Sequence, residues 1–170
     1  HNPDVRAAIL ETAKFWLDRG VDGFRLDVAN FYFCDRALRD NPPKRPEGGF
    51  ARPYHHQRHL YDRSQPENLV FMEELRRLAD RYENRMTVAE IGSDSYIARS
   101  IEYTGPGRLH TAYNFLLLEN GPLTPSLIRD ALESWTSDNA WPSWSFSNHD
   151  VVRHASRWAA LVSVSGKIGC

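Results

Sequence analysis

Apolar positions along this chain of 170 residues follow two different periods in alternation. Val5, Ile9, Ala13 and Trp16 recur at helical spacing behind Asn2, a natural N-cap, and Pro3, which suits the first helical position. Gly20 and Gly23 then close that helix and open a run, "GFRLDVAN", in which Phe24, Leu26 and Val28 alternate as a strand requires. Leu69, Met72, Leu75, Leu78 and Tyr82 predict a second helix over Glu67 to Tyr82, followed by the short β-branched strand "RMTVAEIGSD". A short helix near Tyr96 to Glu102, a strand in "LHTAYNFLLL", a helix around Ser126 to Trp135 and a strand-like run "WPSWSFSNHD" complete the order. The pattern is α-β-α-β-α-β-α-β, the signature of parallel strands joined by crossover helices.

Such a chain folds either as an open doubly wound sheet or as part of a (β/α)8 barrel. No glycine-rich phosphate loop follows any strand, since "EIGSD" and "ENGPL" carry single glycines, and this takes support from a dinucleotide-binding sheet. In a barrel, functional side chains gather at the C-terminal ends of the strands. The polar residues do so here: Asp27 in the first strand, Glu90 in the second, Asn114 in the third, His149 and Asp150 closing the fourth. Arg25 and Asp27 lie two apart on one strand and so share a face, opposite the apolar Phe24 and Leu26. Read alone, this pair is equally a weak surface ion pair. The one long connection, 35–65, is rich in proline (Pro42, Pro43, Pro46, Pro53) and glycine (Gly48, Gly49), but its "PYHHQRHLYDRSQ" carries aromatic and His side chains that a plain linker rarely has. An ordered loop over the strand ends is expected.

Composition narrows the partners. The formal charge of −1, from 21 basic and 22 acidic residues, leaves no footprint for nucleic acid or an anionic membrane. No apolar run approaches the roughly 20 residues of a membrane helix, and no signal-peptide pattern opens the chain, so the cytoplasm is the expected compartment. Cys34 and Cys170 lie in no metal or redox spacing. His55, His56 and His59 lack carboxylate or thiol companions at ligand spacing, so no metal and no cofactor is expected.

At the motif level the chain resembles glycoside hydrolase family 13, the α-amylase family, and within it the bacterial α-glucosidases and oligo-1,6-glucosidases. Gly23, Phe24, Arg25, Leu26 and Asp27 match the family's G-F-R-x-D strand; "TVAEI" matches the short strand ending in Glu90; "FSNHD" matches the strand ending in Asn-His-Asp, with His149 and Asp150. Three motifs in the right order carry more than any one of them. The loop sequences "ANFYFCDRALRDNPP" and "QRHLYDRSQPEN" are similar to the glucosidase branch, and the resemblance runs from about Asn2 to Trp158.

The resemblance implies an α/β fold comprising the middle four β/α units of a (β/α)8 barrel: a partial catalytic barrel over 1–158, with 35–65 as an active-site loop and 159–170 as an atypical tail. The family's first signature, its other strands and its C-terminal β-domain find no counterpart, so the chain reads as a piece of a longer enzyme. Asp27 would be the nucleophile, Glu90 the general acid/base and Asp150 the carboxylate that stabilises the transition state. Arg25 would hold Asp27 ionised, and His149 would bind sugar hydroxyls. Val28, after the nucleophile, leans towards α-1,6 linkages, and Asn114 counts among the substrate-binding residues. The substrates implied are α-glucosides and small oligosaccharides.

The chemistry agrees with that division of labour. A retaining glycosidase needs one ionised and one protonated carboxyl group about 5–5.5 Å apart. A neighbouring guanidinium favours the ionised form of Asp27, while Val88, Ala89 and Ile91 give Glu90 the apolar flanks that suit a general acid. Alternatives stand beside the assignments: a transglucosidase or sucrose- or trehalose-type isomerase, or a non-catalytic relative serving as an accessory subunit. Asp150 could N-cap the helix of "VVRHASRW", His149 could be structural, and Phe31, Tyr32 and Phe33 could pack in the core rather than stack on sugar. Trp141 and Trp144 are expected to pack around the last strand.

Overall fold

The computed structural model describes residues 1–45, 52–92, 95–118 and 123–158. Four helices and four strands alternate: α1 (Pro3–Leu17), β1 (Gly23–Leu26), α2 (Pro66–Ala79), β2 (Met86–Glu90), α3 (Tyr96–Tyr103), β3 (Thr111–Asn114), α4 (Pro125–Glu133) and β4 (Trp141–Trp144). The strands form one parallel sheet in the order β1-β2-β3-β4. Sequential order with a helix at every crossover is how a (β/α)8 barrel is wound. Among the described residues no helix is long and apolar enough to cross a membrane.

Proline stands in the first turn of α1, α2 and α4, where its missing N–H costs nothing. Asn2 Oδ1 accepts from the Asp4 N–H (2.8 Å) and Thr124 Oγ1 from the Leu127 N–H (3.1 Å), capping α1 and α4. Phe71, Met72, Leu75 and Leu78 of α2 are buried against Ala89 and Ile91 on one face of the sheet, together with Leu17, Phe33, Tyr103, Leu109 and Ala112. Each large side chain contributes about 1.5–3 kcal/mol on burial.

Helix α1 departs from its sequence pattern. Its core contacts come from Leu10, Ala13 and Leu17, whereas Val5, Ile9 and Trp16 are about half exposed. Those three line an apolar groove beside β1, with Phe24 and Leu75 at its base. β1 is the edge strand, so nothing in the described sheet lies beyond it for the stripe to cover.

The strands are also shorter than the runs that predicted them. β1 stops at Leu26; Val28 turns to φ 38°, and Ala29–Phe31 form a 3₁₀ turn, so Val28 leaves the apolar alternation and becomes exposed. Leu116–Leu118 likewise turn into 3₁₀ helix after β3. Trp141, expected to pack, is 77% exposed on the other edge strand, while Trp144 meets Trp135 edge to face at 6.4 Å.

The long connection is ordered wherever it is described. Pro43 and Gln57 pair as an antiparallel bridge, the Asp35 N–H donates to the Tyr61 carbonyl (2.6 Å), and Asn41 Oδ1 accepts from the Leu60 and Tyr61 N–H groups (2.9 Å each). Arg39, stacked over Tyr61, hydrogen-bonds Asp35 and lowers its carboxyl pKa to about 2. Residues 46–51, with Pro46, Gly48 and Gly49, and the tail 159–170 lie outside the described residues.

Gly23 sets the start of β1. A Cβ there would stand 1.7 Å from the Met86 carbonyl oxygen, its register partner's backbone, which cannot move without breaking the β1–β2 ladder. Gly23→Ala is therefore expected to lower stability by about 1–3 kcal/mol or more. The check is the urea midpoint of the chain; an unchanged midpoint would refute the close approach.

Candidate active site

The pleat sorts the sheet's two faces. Thr87, Ala89 and Ala112 are completely buried under the helices, whereas Arg25, Val88 and Tyr113 face the other way. In parallel register Leu26 lies beside Ala89 and Glu90 beside Tyr113, so the residue following β1, Asp27, comes level with Glu90 at the C-terminal end of the sheet.

One guanidinium joins these groups. Arg25 Nη1 donates to Asp27 Oδ1, and Nη2 donates to Glu90 Oε2 (2.8 Å) and to the Tyr113 hydroxyl (3.0 Å). Bonding to Tyr113 comes first among the causes that raise the pKa of Arg25, so the cation is permanent. The Val28 N–H also donates to Glu90 Oε2 (3.3 Å). Glu90 is 8% exposed at its side chain and Asp27 is 69% exposed. Hydrogen bonding with Glu90, and next with Arg25, holds the Asp27 carboxyl below its usual range; the charge of His149 adds in the same direction. The apolar flanks of Glu90 thus describe its backbone neighbours rather than its carboxylate, which points at a cation.

His149, with Arg25, Val88, Tyr113, Ser143 and Trp144, lines an open cleft of about 310 Å³. Asp150 is exposed in a turn whose N–H donates to Asn148 Oδ1 (3.0 Å), and its carboxylate lies 3.6 Å from His149 Nε2. Its carboxylate pairs with His149, not with Arg25. It does not cap the following helix, which starts only at His154 with the Ser147 hydroxyl accepting from the His154 N–H (2.8 Å).

Asn114 is not brought to this cleft. It is 1% exposed, and its Oδ1 accepts from the Leu116 N–H (2.7 Å), stabilising the 3₁₀ turn after β3. Alternation gives the cleft face to Tyr113, one residue earlier, which no sequence motif marks; counting register from Glu90 is the signal that finds it. His59 is also structural: its Nε2 lies 2.9 Å from the Tyr54 carbonyl oxygen, an acceptor, and its Nδ1 2.7 Å from Asp62 Oδ2, and its ring stacks on Tyr54 at 3.8 Å. Among the described residues no three His, Cys, Asp or Glu side chains gather to hold a metal ion. Phe33 is buried against Phe71, while Tyr32 is partly exposed.

The family model described as "Alpha amylase, catalytic domain" matches residues 1–167. The chain belongs to the α-amylase family. This α-amylase-family chain is 46% identical over 170 residues to a probable α-glucosidase of Rhizobium meliloti, a match that covers 94% of this chain and 31% of that protein. It is 33% identical to an oligo-1,6-glucosidase of Heyndrickxia coagulans, over 92% of this chain and 30% of the relative. The crystal structure of XgtA, an α-glucosyl transfer enzyme, superposes with a TM-score of 0.84 at 46% identity, covering 93% of this chain and 31% of that one. The chain thus spans about 30% of the length of the relatives it matches, and its four-stranded parallel sheet is part of the family's (β/α)8 barrel.

Proposed function

We propose that this chain carries the reacting carboxyl groups of a retaining α-glucosidase, acting on the α-glucosidic bonds of small oligosaccharides. The observation that carries this reading is the fork of Arg25, one arm on Asp27 and the other on Glu90, at the C-terminal end of parallel strands. Carboxyl groups held on the two nitrogens of one guanidinium suit the roughly 5–5.5 Å spacing of a retaining enzyme better than the roughly 6.5–9.5 Å gap of an inverting one, which must admit a water between them.

In the first step Asp27, kept ionised, attacks the anomeric carbon and forms a β-glucosyl ester. Glu90 gives its proton to the departing glycosidic oxygen. In the second step Glu90 takes a proton from water, the water oxygen bonds to the anomeric carbon, and the ester bond breaks to restore the Asp27 carboxylate. Two inversions give retention. His149 offers a ring nitrogen to sugar hydroxyls in the same cleft, and Asp150, beside it, supplies negative charge as the oxocarbenium ion develops. Val28, exposed next to Asp27, meets the sugar beyond the scissile bond, and the long connection after β1 borders the site.

Transfer in place of hydrolysis is a second reading, favoured by the 46% identity to an α-glucosyl transfer enzyme. It changes only the acceptor: a sugar hydroxyl replaces water in the second step. Both readings are tested in a graft in which this chain replaces the matching segment of the Rhizobium relative. Proton NMR of the first product released from an aryl α-glucoside is expected to show the α anomer, with longer α-glucosides growing in at high maltose if transfer dominates. Initial release of the β anomer would overturn the retaining assignment.

A further inference from the structure

Asp27 stands on a turn that is held in place from outside itself. Val28, a β-branched residue, adopts φ 38°, a conformation that costs on the order of 1–3 kcal/mol unless its surroundings impose it. The β1–β2 ladder ends at Leu26 and Ala89, so backbone pairing does not fix residues 27–30 against β2.

Asn30 does. It is completely buried, and its side chain makes three hydrogen bonds to other elements. Nδ2 donates to the Gly92 carbonyl (2.7 Å) and to the Ser64 hydroxyl (2.9 Å), and Oδ1 accepts from the Gly92 N–H (3.1 Å). The carboxamide thereby takes the same donor and acceptor that a neighbouring strand's backbone would take, two residues beyond Glu90. The Asn30 carbonyl accepts in turn from Asn68 Nδ2 on α2 (2.7 Å) and from the Ser64 N–H (2.6 Å).

We propose that Asn30 is a positioning residue which extends the β1–β2 pairing through its side chain and so fixes Asp27 against Glu90. The inference deepens the retaining reading and rests on it for its kinetic consequence. Asn30 touches no reacting atom. Its effect passes through the turn, whose Val28 N–H already bonds Glu90 and whose Phe31 N–H closes on the Val28 carbonyl (2.9 Å). Without the clamp the strained turn relaxes and Asp27 drifts from its partners.

A readout independent of activity is the titration of Asp27, followed by carbon NMR of the labelled carboxyl in the 170-residue chain. The groups facing Asp27 are Arg25 on β1, Tyr32 after the 3₁₀ turn, Glu90 on β2 and His149 after β4, with Tyr113 on β3 behind Arg25. With the clamp intact Asp27 titrates below the ordinary value of about 3.9; in Asn30→Ala the midpoint is expected to rise towards it. In the graft, kcat should fall roughly 10²-fold, the cost of about 1 Å of misplacement, with KM nearly unchanged. A folded Asn30→Ala with an unshifted Asp27 and wild-type kcat would overturn the clamp. If that variant does not fold, Ser64→Ala removes only the contact to the Ser64 hydroxyl: a partial shift in the same direction supports the clamp, and an unchanged titration overturns it. A wild-type graft without turnover would instead refute the proposed function, while the titration still decides the clamp.

Discussion

Asp27→Asn is expected to reduce turnover of an aryl α-glucoside by about 10⁴- to 10⁶-fold, the scale on which loss of a covalent nucleophile acts. The amide oxygen can still accept from Arg25 Nη1, so that hydrogen bond survives the change. What is lost is the negative charge and the capacity to form a glycosyl ester. Asp27 is 69% exposed, so the stability of the variant should lie within about 0.5 kcal/mol of the wild type. Active-site labelling by a fluorinated α-glucoside that traps the ester should mark Asp27 in the wild-type graft and leave the Asp27→Asn variant unlabelled. Turnover near wild type in the variant, with deamidation excluded by mass, would remove Asp27 from the role. A pH consequence follows with its sign. The nucleophile must be ionised, and its carboxyl lies below the usual range because Glu90 and Arg25 favour the charged form. The acid limb of kcat/KM therefore falls at a lower pH than an isolated aspartate would give.

The alternation of helices and short strands, and the carboxylates at the strand ends, were legible in the sequence because period and turn chemistry are local properties. Phe24 and Leu26 against Arg25 and Asp27 specify two faces with no knowledge of what lies on either side. Other features depended on neighbours that the local pattern does not encode. Val28 keeps the apolar alternation in sequence, yet it turns to φ 38° and leaves the sheet, and Asn30, two residues on, bonds Gly92, a contact across 62 residues. Helix α1 presents two apolar stripes, and its packing against the core beside Phe24 and Leu26 selects Leu10, Ala13 and Leu17 as the buried one. Asn114 and Tyr113 differ by one pleat, and register with Glu90 settles which of them faces the cleft.

Arg25 ties these observations to chemistry. A cation that forks to both carboxyl groups would hold both ionised if it acted alone, and a glycosidase with two ionised carboxylates has no proton to give. The proposed mechanism therefore asks for different surroundings at the two carboxyl groups. Asp27 is open to solvent and pairs with Arg25 Nη1, whereas the Glu90 side chain is nearly enclosed, so the surroundings of the two carboxyl groups differ.

Glu90→Gln tests the proton that the proposed mechanism asks Glu90 to give. The amide keeps an oxygen for Arg25 Nη2 and the Val28 N–H, so those contacts are preserved while acid and base catalysis are lost. General acid catalysis contributes typically 10²–10⁴-fold, and a leaving group that departs as a stable anion needs little of it. For maltose, kcat/KM, which reports formation of the glycosyl ester, is expected to fall by about 10²–10⁴-fold; for a nitrophenyl α-glucoside it should fall by less than about 10-fold. kcat should drop for both substrates, because water in the second step has lost its base. Azide, a nucleophile that needs no deprotonation, should then restore kcat for the nitrophenyl substrate and yield α-glucosyl azide, since it attacks the β-glucosyl ester from the opposite face. Equal losses in kcat/KM for the two substrates, with no azide adduct, would exclude Glu90 as the acid/base and leave it as a partner that orients Arg25.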